Sequence, residues 1–500
     1  MSEIANTKRI AKNTLLMYFR MFFLIIISLY TSRVILKQLG VVDFGIYNVV
    51  GSIVLIFSSL KSMLASSTQR FLNFEMGRNN NAKLKDIYSM SVEINAIVSL
   101  LFVFVIEIAG VWFIQNKMNM PAERLMAAHV VLQLSILTTV VSFLNSPFDA
   151  CIIAHEKMNY YAYISIFEGL LKLFICFMLS WWGSDKLILY GVLILIVSLI
   201  VFFFNLLYCR HKFKECCFNW IFDRRLFKEM SSFAGWAFLG NTAFSLSQSG
   251  VNLVLNLFGG PIVNTARGIS FQVNNVFSSF ISNISVVIRP YMIKTYSGGG
   301  VEKSMAIVLF SSKIYFFVQL VMALIMIGLS NYILKMWLGQ IPDYTIIFVD
   351  LVLIYAVIRS LHSPLDMLFN AQGKYKYYQI LEGTVLFLPV PFSYLLLKIG
   401  APYYSAFITI ILFEAIEIVF VLLLARKQCG FDLKLYLKEV VAPCTLIAII
   451  AVCGFFLSIQ FVNVIIKILS LFLCDILITL VFYKIGINSA EKLAIRSLIR

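Results

Sequence analysis

SPFDACIIAHEKMNYY, residues 146–161, returns as SPLDMLFNAQGKYKYY, residues 363–378. Ser146-Pro147-Phe148-Asp149 answers Ser363-Pro364-Leu365-Asp366, and Ala154, Lys157 and Tyr160-Tyr161 answer Ala371, Lys374 and Tyr377-Tyr378 in one register. Outward from this core the match continues. Glu168-Gly169 answers Glu382-Gly383 after a small indel; upstream, Gly40 answers Gly259 and Arg70 answers Arg289. A register kept over that length marks an internal duplication, the signature of a repeat architecture.

What is duplicated is apolar. Of the 500 residues 60% are hydrophobic and 13% charged, where a soluble chain carries roughly a quarter charged. The apolar residues fall in blocks of about 20 to 25, the length a helix needs to cross a hydrocarbon core. The blocks predict an all-α polytopic membrane protein of fourteen spans, the first over 15–37 and the last over 462–483. The repeat covers spans 1–6 and 7–12. Six is even, so both halves insert in the same orientation, related by a pseudo-two-fold axis along the membrane normal. The expected domains are a six-helix lobe over 1–208, a basic linker over 209–232, a second six-helix lobe over 233–425, and spans 13 and 14 with a basic tail over 426–500.

The net charge of +16 suggests nucleic acid at first sight, but the cations lie between apolar blocks. With the N-terminus placed in the cytoplasm, 27 of the 41 Lys and Arg fall on the cytoplasmic side and seven outside. A miscounted span would invert every later loop and erase that bias, so the positive-inside rule supports both count and orientation. The expected location is a bacterial inner membrane, with both termini cytoplasmic and no nucleic-acid partner. The polar opening 1–13 runs into an apolar stretch too long for a signal-peptide core, so it reads as a retained span. Outer loops are short and leave no room for a catalytic domain. There is no GxxxxGK[ST] phosphate loop, and the nine cysteines and four histidines show no metal-ligand spacing. The expectation is no cofactor, no metal, no disulfide and no enzymatic activity. The Ser-Pro-x-Asp motif itself has a structural reading, with Pro ending or kinking spans 4 and 10 and Asp at the interface near the following Lys.

The opening Lys8-Arg9-Ile10-Ala11-Lys12-Asn13-Thr14, and the Leu39-Gly40-Val41-Val42-Asp43-Phe44-Gly45-Ile46-Tyr47 stretch between spans 1 and 2, resemble the polysaccharide transporter (O-antigen flippase-like) family of the multidrug/oligosaccharidyl-lipid/polysaccharide flippase superfamily. The twelve-plus-two layout resembles it over the whole chain. The resemblance implies two six-helix lobes in a V around a central cavity lined by spans 1, 2, 7 and 8. It also implies an undecaprenyl-pyrophosphate-linked oligosaccharide as substrate, turned to the outer leaflet by alternating access for O-antigen, capsule or exopolysaccharide synthesis. It leaves open which sugar is carried and whether polymerase and chain-length proteins are partners.

Moving a lipid pyrophosphate across the bilayer needs cations for the phosphates and amides and hydroxyls for the sugars. Arg20, Lys61, Arg267 and Arg359 are the candidate cations. The competing reading is snorkelling towards the membrane faces. Lys172, four residues after Glu168, reads as a structural ion pair; Arg359 has only Asp350 and Asp366 on its own span. Span 7 is unusually polar, and with span 8 it offers Asn241, Gln248, Asn252 and Asn274 to a glycan. Glu414 and Glu417 are the candidates for a coupling ion. Two other functions remain in play: a cation-coupled multidrug exporter, which would want an anionic or apolar cavity, and a membrane polysaccharide polymerase or glycosyltransferase, which would need a large catalytic loop.

Overall fold

A computed structural model describes residues 2–55, 58–116, 121–181, 185–338, 340–461, 463–488 and 491–492. Lys117, Arg496 and Arg500 of the charge map lie outside the described residues. The described chain is helical nearly throughout, as lipid requires, because a backbone there must satisfy its own hydrogen bonds. The helices are α1 (Ser2–Leu55), α2 (Ser58–Gly77), α3 (Asn81–Asn116), α4 (Leu125–Ala154), α5 (Met158–Trp181), α6 (Lys186–Lys212), α7 (Arg224–Ser297), α8 (Val301–Gly328), α9 (Ser330–Leu338), α10 (Thr345–Arg359), α11 (His362–Gln372), α12 (Tyr375–Phe387), α13 (Pro389–Lys398), α14 (Ser405–Cys429), α15 (Leu433–Tyr436), α16 (Ala442–Ile459) and α17 (Val464–Val481). Among the described residues, eleven helical segments are long and apolar enough to cross a membrane. The protein is an all-α, multi-pass membrane protein. The first half of α7 is not among the eleven, since its amides and hydroxyls dilute its hydropathy.

Two helices are each a pair of spans joined by one glycine. Gly40 breaks α1 with φ 76° and ψ 170°, and Gly260 breaks α7 with φ 65° and ψ −162°. Both lie in a region that essentially only glycine enters. The repeat alignment paired Gly40 with Gly259; the backbone shows that the counterpart is Gly260. A Cβ at either break would meet nothing within 4 Å, so the penalty of substitution is purely conformational. Gly260→Ala is expected to destabilise the protein by about 1–3 kcal/mol, read as a lowered thermal midpoint of the purified protein.

The broken tenth span has a different cause. Pro364 has no N–H to bond the Ser360 carbonyl, so α10 stops at Arg359 and α11 restarts at His362. Pro147, at the same motif position, is carried inside an unbroken α4.

The chain divides into two compact units, Lys12–Phe238 and Leu239–Arg500, the latter with Met1–Ala11. In Lys12–Phe238, the core gathers Leu72, Ile87, Met90, Val131, Phe143 and Ile152. At one end of this unit, Asp43 and Asp185 converge on Arg124, with Arg124 Nη1 2.6 Å from Asp185. Asp43 of the Gly40 stretch is thus a tie holding the α1 turn to the start of α4. In Leu239–Arg500, Val251, Val254 and Leu255 of α7 pack with Phe348, Val352 and Phe407. The last two spans, α16 and α17, pack on α8 through Leu324, Ile447, Leu471 and Ile478, with Phe317 and Phe482 stacked at 4.2 Å.

The linker is shorter than expected, because helix persists to Lys212 and resumes at Arg224. Residues 213–223 are fastened to the first unit. The Asn219 N–H donates to Ser89 Oγ (3.1 Å), His155 stacks on Phe213 at 4.0 Å and bonds Glu215, and the Cys216 thiol meets those of Cys151 and Cys209. Burial raises the Glu215 carboxyl most strongly, but the hydrogen bond from His155, a backbone hydrogen bond and the electrostatic pull of His155 together outweigh it, and the group stays below its ordinary value of 4.5. A depressed carboxyl gives stability that is present above its unfolded value and is lost as pH falls through the folded one. Acidification through and below the ordinary carboxylate range is therefore expected to loosen the linker. Limited proteolysis should then cut after Lys214, and Glu215→Gln should show the same cutting at neutral pH.

Candidate functional site

Among the described residues, each unit carries a cluster of charge on its apolar helices, and the two clusters have opposite sign. In Lys12–Phe238 the Asp149 carboxylate sits among Lys61, Glu168 and Arg20. Asp149 Oδ2 is 3.8 Å from Lys61 Nζ, and Lys172 Nζ is 2.6 Å from Glu168 Oε1. The expected Lys172–Glu168 pair therefore forms, one helical turn apart. The Arg20 guanidinium lies over the Tyr161 ring at 4.8 Å. Counted over these residues, three cations face two carboxylates. Arg20 and Lys61 come from different helical segments and meet here, although nothing in their spacing announced it.

In Leu239–Arg500 the excess is acidic. Arg359, at the broken end of α10, donates to Glu414 (2.9 Å) and Glu382 (2.8 Å) and stands 3.7 Å from Glu417. His362 Nε2, at the start of α11, is 2.8 Å from both Glu417 Oε1 and Tyr378 Oη. Glu414 and Glu417 are fully buried and His362 is 4% exposed. One guanidinium against three carboxylates leaves two negative charges, or one when His362 is protonated. A buried uncompensated charge is expensive enough that such a site takes up a proton or another cation. His362, Glu382 and Glu417 offer ligand atoms within 4.8 Å of one another, a convergence the scattered histidines gave no sign of. Arg359 finds its acids on other helices, not in Asp350 or Asp366 of its own span.

The repeated aspartates do not turn to the lysine that follows them, as the motif suggested. Asp149 faces Lys61, while Asp366 takes Arg289 (2.9 Å) and the Tyr375 hydroxyl (2.6 Å). Lys374 instead donates to the Gln428 carbonyl.

Around the Leu239–Arg500 cluster, α7 presents a polar stripe. Asn241, Ser245, Ser249, Asn252 and Asn256 recur at helical spacing and all are exposed. Val251, Val254 and Leu255 occupy the buried side. Thr265, Gln272, Asn275 and Ser282 make a similar exposed row beyond Gly260. Exposed Leu246, Leu253 and Leu257 run beside the first stripe. The exposed side of this helix is thus amphipathic, with amides and hydroxyls along one line and leucines along the next. The four amides singled out in the sequence divide: Asn241 and Asn252 are on the stripe, whereas Asn274 is buried and Gln248 is occupied. Arg267, 3% exposed, donates to the Gln248 carbonyl (2.9 Å) and packs on Phe271 at 4.6 Å. Its guanidinium is turned into its own unit.

Together these features define a multi-pass membrane protein with a charged interior and an exposed polar face, in the fold of the MATE transporters. The chain superposes on a MATE protein solved in the straight conformation with a TM-score of 0.73 at 13% identity, over 85% of this chain and 96% of that one. It matches an outward-facing multidrug resistance MATE family transporter of the MOP superfamily with a TM-score of 0.71 at 13% identity, over 86% and 98%. Among curated proteins it is similar to the uncharacterized membrane protein EpsK of Bacillus subtilis (strain 168), 23% identical over 442 residues, 84% of this chain and 83% of that one. No protein-family model matches the chain.

Proposed function

We propose that this protein is a flippase for an undecaprenyl-pyrophosphate-linked oligosaccharide, working by alternating access in the inner membrane, with both termini cytoplasmic, during surface polysaccharide synthesis. The observation that carries the reading is the surplus of partly exposed cations in Lys12–Phe238: Arg20, Lys61 and Lys172 against Asp149 and Glu168. A lipid pyrophosphate brings two or three negative charges into the bilayer and needs such a surplus. The charge-free amide and hydroxyl stripe of α7 suits sugars. A multidrug exporter would put uncompensated acids where a cationic drug can reach them; the partly exposed acids Asp149 and Glu168 each have a lysine beside them, and Glu414 and Glu417 are fully buried. Those two carboxylates, with Glu382 and His362, serve the coupling cation.

Deletion of the gene tests the reading. The expected result is a pyrophosphate-linked oligosaccharide accumulating inside the cell while one surface polymer disappears. Unchanged glycans with increased sensitivity to cationic drugs would replace this reading with the exporter. Coupling has its own test. Glu417→Gln removes one acid from the cluster, and transport should lose its dependence on a proton or sodium gradient. A variant that still stops when an ionophore collapses the gradient would place coupling elsewhere.

A further inference from the structure

Asp149 is held in a way that a merely structural ion pair would not need. Its Oδ1 accepts from Asn205 Nδ2 (3.2 Å) and its Oδ2 from Asn145 Nδ2 (3.1 Å). Asn205, 1% exposed, also donates to Asn145 Oδ1 (3.0 Å) and accepts from the Tyr160 hydroxyl (3.1 Å). The carboxylate is therefore fixed and satisfied by amides alone. Lys61 adds a charge at 3.8 Å, beyond hydrogen-bond reach, and both side chains are about a quarter exposed, 29% and 24%. The other copy of the motif is closed: Arg289 is 2.9 Å from Asp366, whose second oxygen takes the Tyr375 hydroxyl. The duplication thus gives one locked aspartate–cation pair and one loose one. The loose one lies in the unit with the cation surplus, beside Arg20.

We propose that Asp149 is the competing counter-ion of the substrate site: it holds Lys61 between transport cycles, yields it to the pyrophosphate of the incoming lipid, and by reclaiming it lowers the affinity enough for release. This rests on the flippase reading above. Lys61 can swing on its four-carbon stem without stranding a buried acceptor, because the amides keep the carboxylate satisfied. A ligand with two or three charges outcompetes a single carboxylate for a cation at similar distance. A transport site must also let its ligand go, so binding has to stay moderate. A fixed anion beside the binding cation provides that moderation.

The test is calorimetric titration of the purified full-length protein with farnesyl pyrophosphate. Asp149→Asn and the smaller Asp149→Ser should each bind the probe about fivefold more tightly, the value of one partly exposed ion pair. Lys61→Gln should abolish that gain when combined with either. A damaged fold does not bind more tightly, so the gain separates this role from a structural one, and either variant alone decides the matter. Unchanged or weaker binding in the Asp149 variants, with wild-type binding that still depends on Lys61, would overturn the counter-ion and leave the flippase reading standing. No pyrophosphate binding by the wild type would overturn both.

Discussion

Arg359→Met is expected to destabilise the protein by about 3–5 kcal/mol, the usual result of removing one partner from a buried ion pair. Among the described residues, Arg359 is the permanently charged cation paired with Glu382, Glu414 and Glu417, and Glu414 and Glu417 are fully buried. Without it three carboxylates remain in a low-dielectric interior, and they must be neutralised by protons or drive the helices apart. His362 is too committed to Glu417 and Tyr378 to replace the guanidinium. The measurement is thermal unfolding in detergent, alongside membrane yield. Adding Glu414→Gln removes one stranded charge and should recover part of the loss. A variant with the wild-type midpoint would show that the acids are neutral without Arg359, and the cluster would lose its role as a cation site.

The second large effect concerns transport. Arg20→Gln together with Lys61→Gln should lower surface polymer export by about thirtyfold or more, on the order of 2 kcal/mol of lost anion binding. Both side chains are partly exposed, so the folded protein should survive at wild-type levels. Arg267→Gln is the informative comparison. Its guanidinium is buried against Phe271 and Gln248, so its effect should appear as lost stability. Equal export by the Arg20/Lys61 double variant and the wild type would remove the cation surplus from the mechanism.

The sequence made the fold legible because lipid enforces long apolar blocks and because the duplication keeps its register. Ser146-Pro147-x-Asp149 and Ser363-Pro364-x-Asp366 located equivalent helices, although their side chains do different work. Pro364 breaks its helix where Pro147 does not, a difference set by tertiary context that no spacing reveals. The site was partly legible. Arg20, Lys61, Glu414 and Glu417 stand out as charges in apolar runs, whereas their partners lie on other helices. Glu382 was visible as an acid in an apolar run and as the repeat counterpart of Glu168, but nothing predicted that it would take Arg359. His362 was invisible, since a lone histidine acquires meaning only from what packs against it. On α7 the count of amides was informative and their facing was not. Exposure separates Asn241 and Asn252 from Gln248 and Asn274, and that depends on which side meets Phe348 and Phe407.

The central claim is movement of a pyrophosphate-linked lipid. It is tested most directly by reconstituting the purified protein into liposomes with an undecaprenyl-pyrophosphate oligosaccharide in both leaflets and adding a membrane-impermeant glycosidase. The account predicts that essentially all of the lipid becomes accessible to the enzyme with the wild-type protein, and only the outer-leaflet half with the Arg20/Lys61 double variant. Accessibility that stays at half with the wild-type protein under every imposed ion gradient would contradict it.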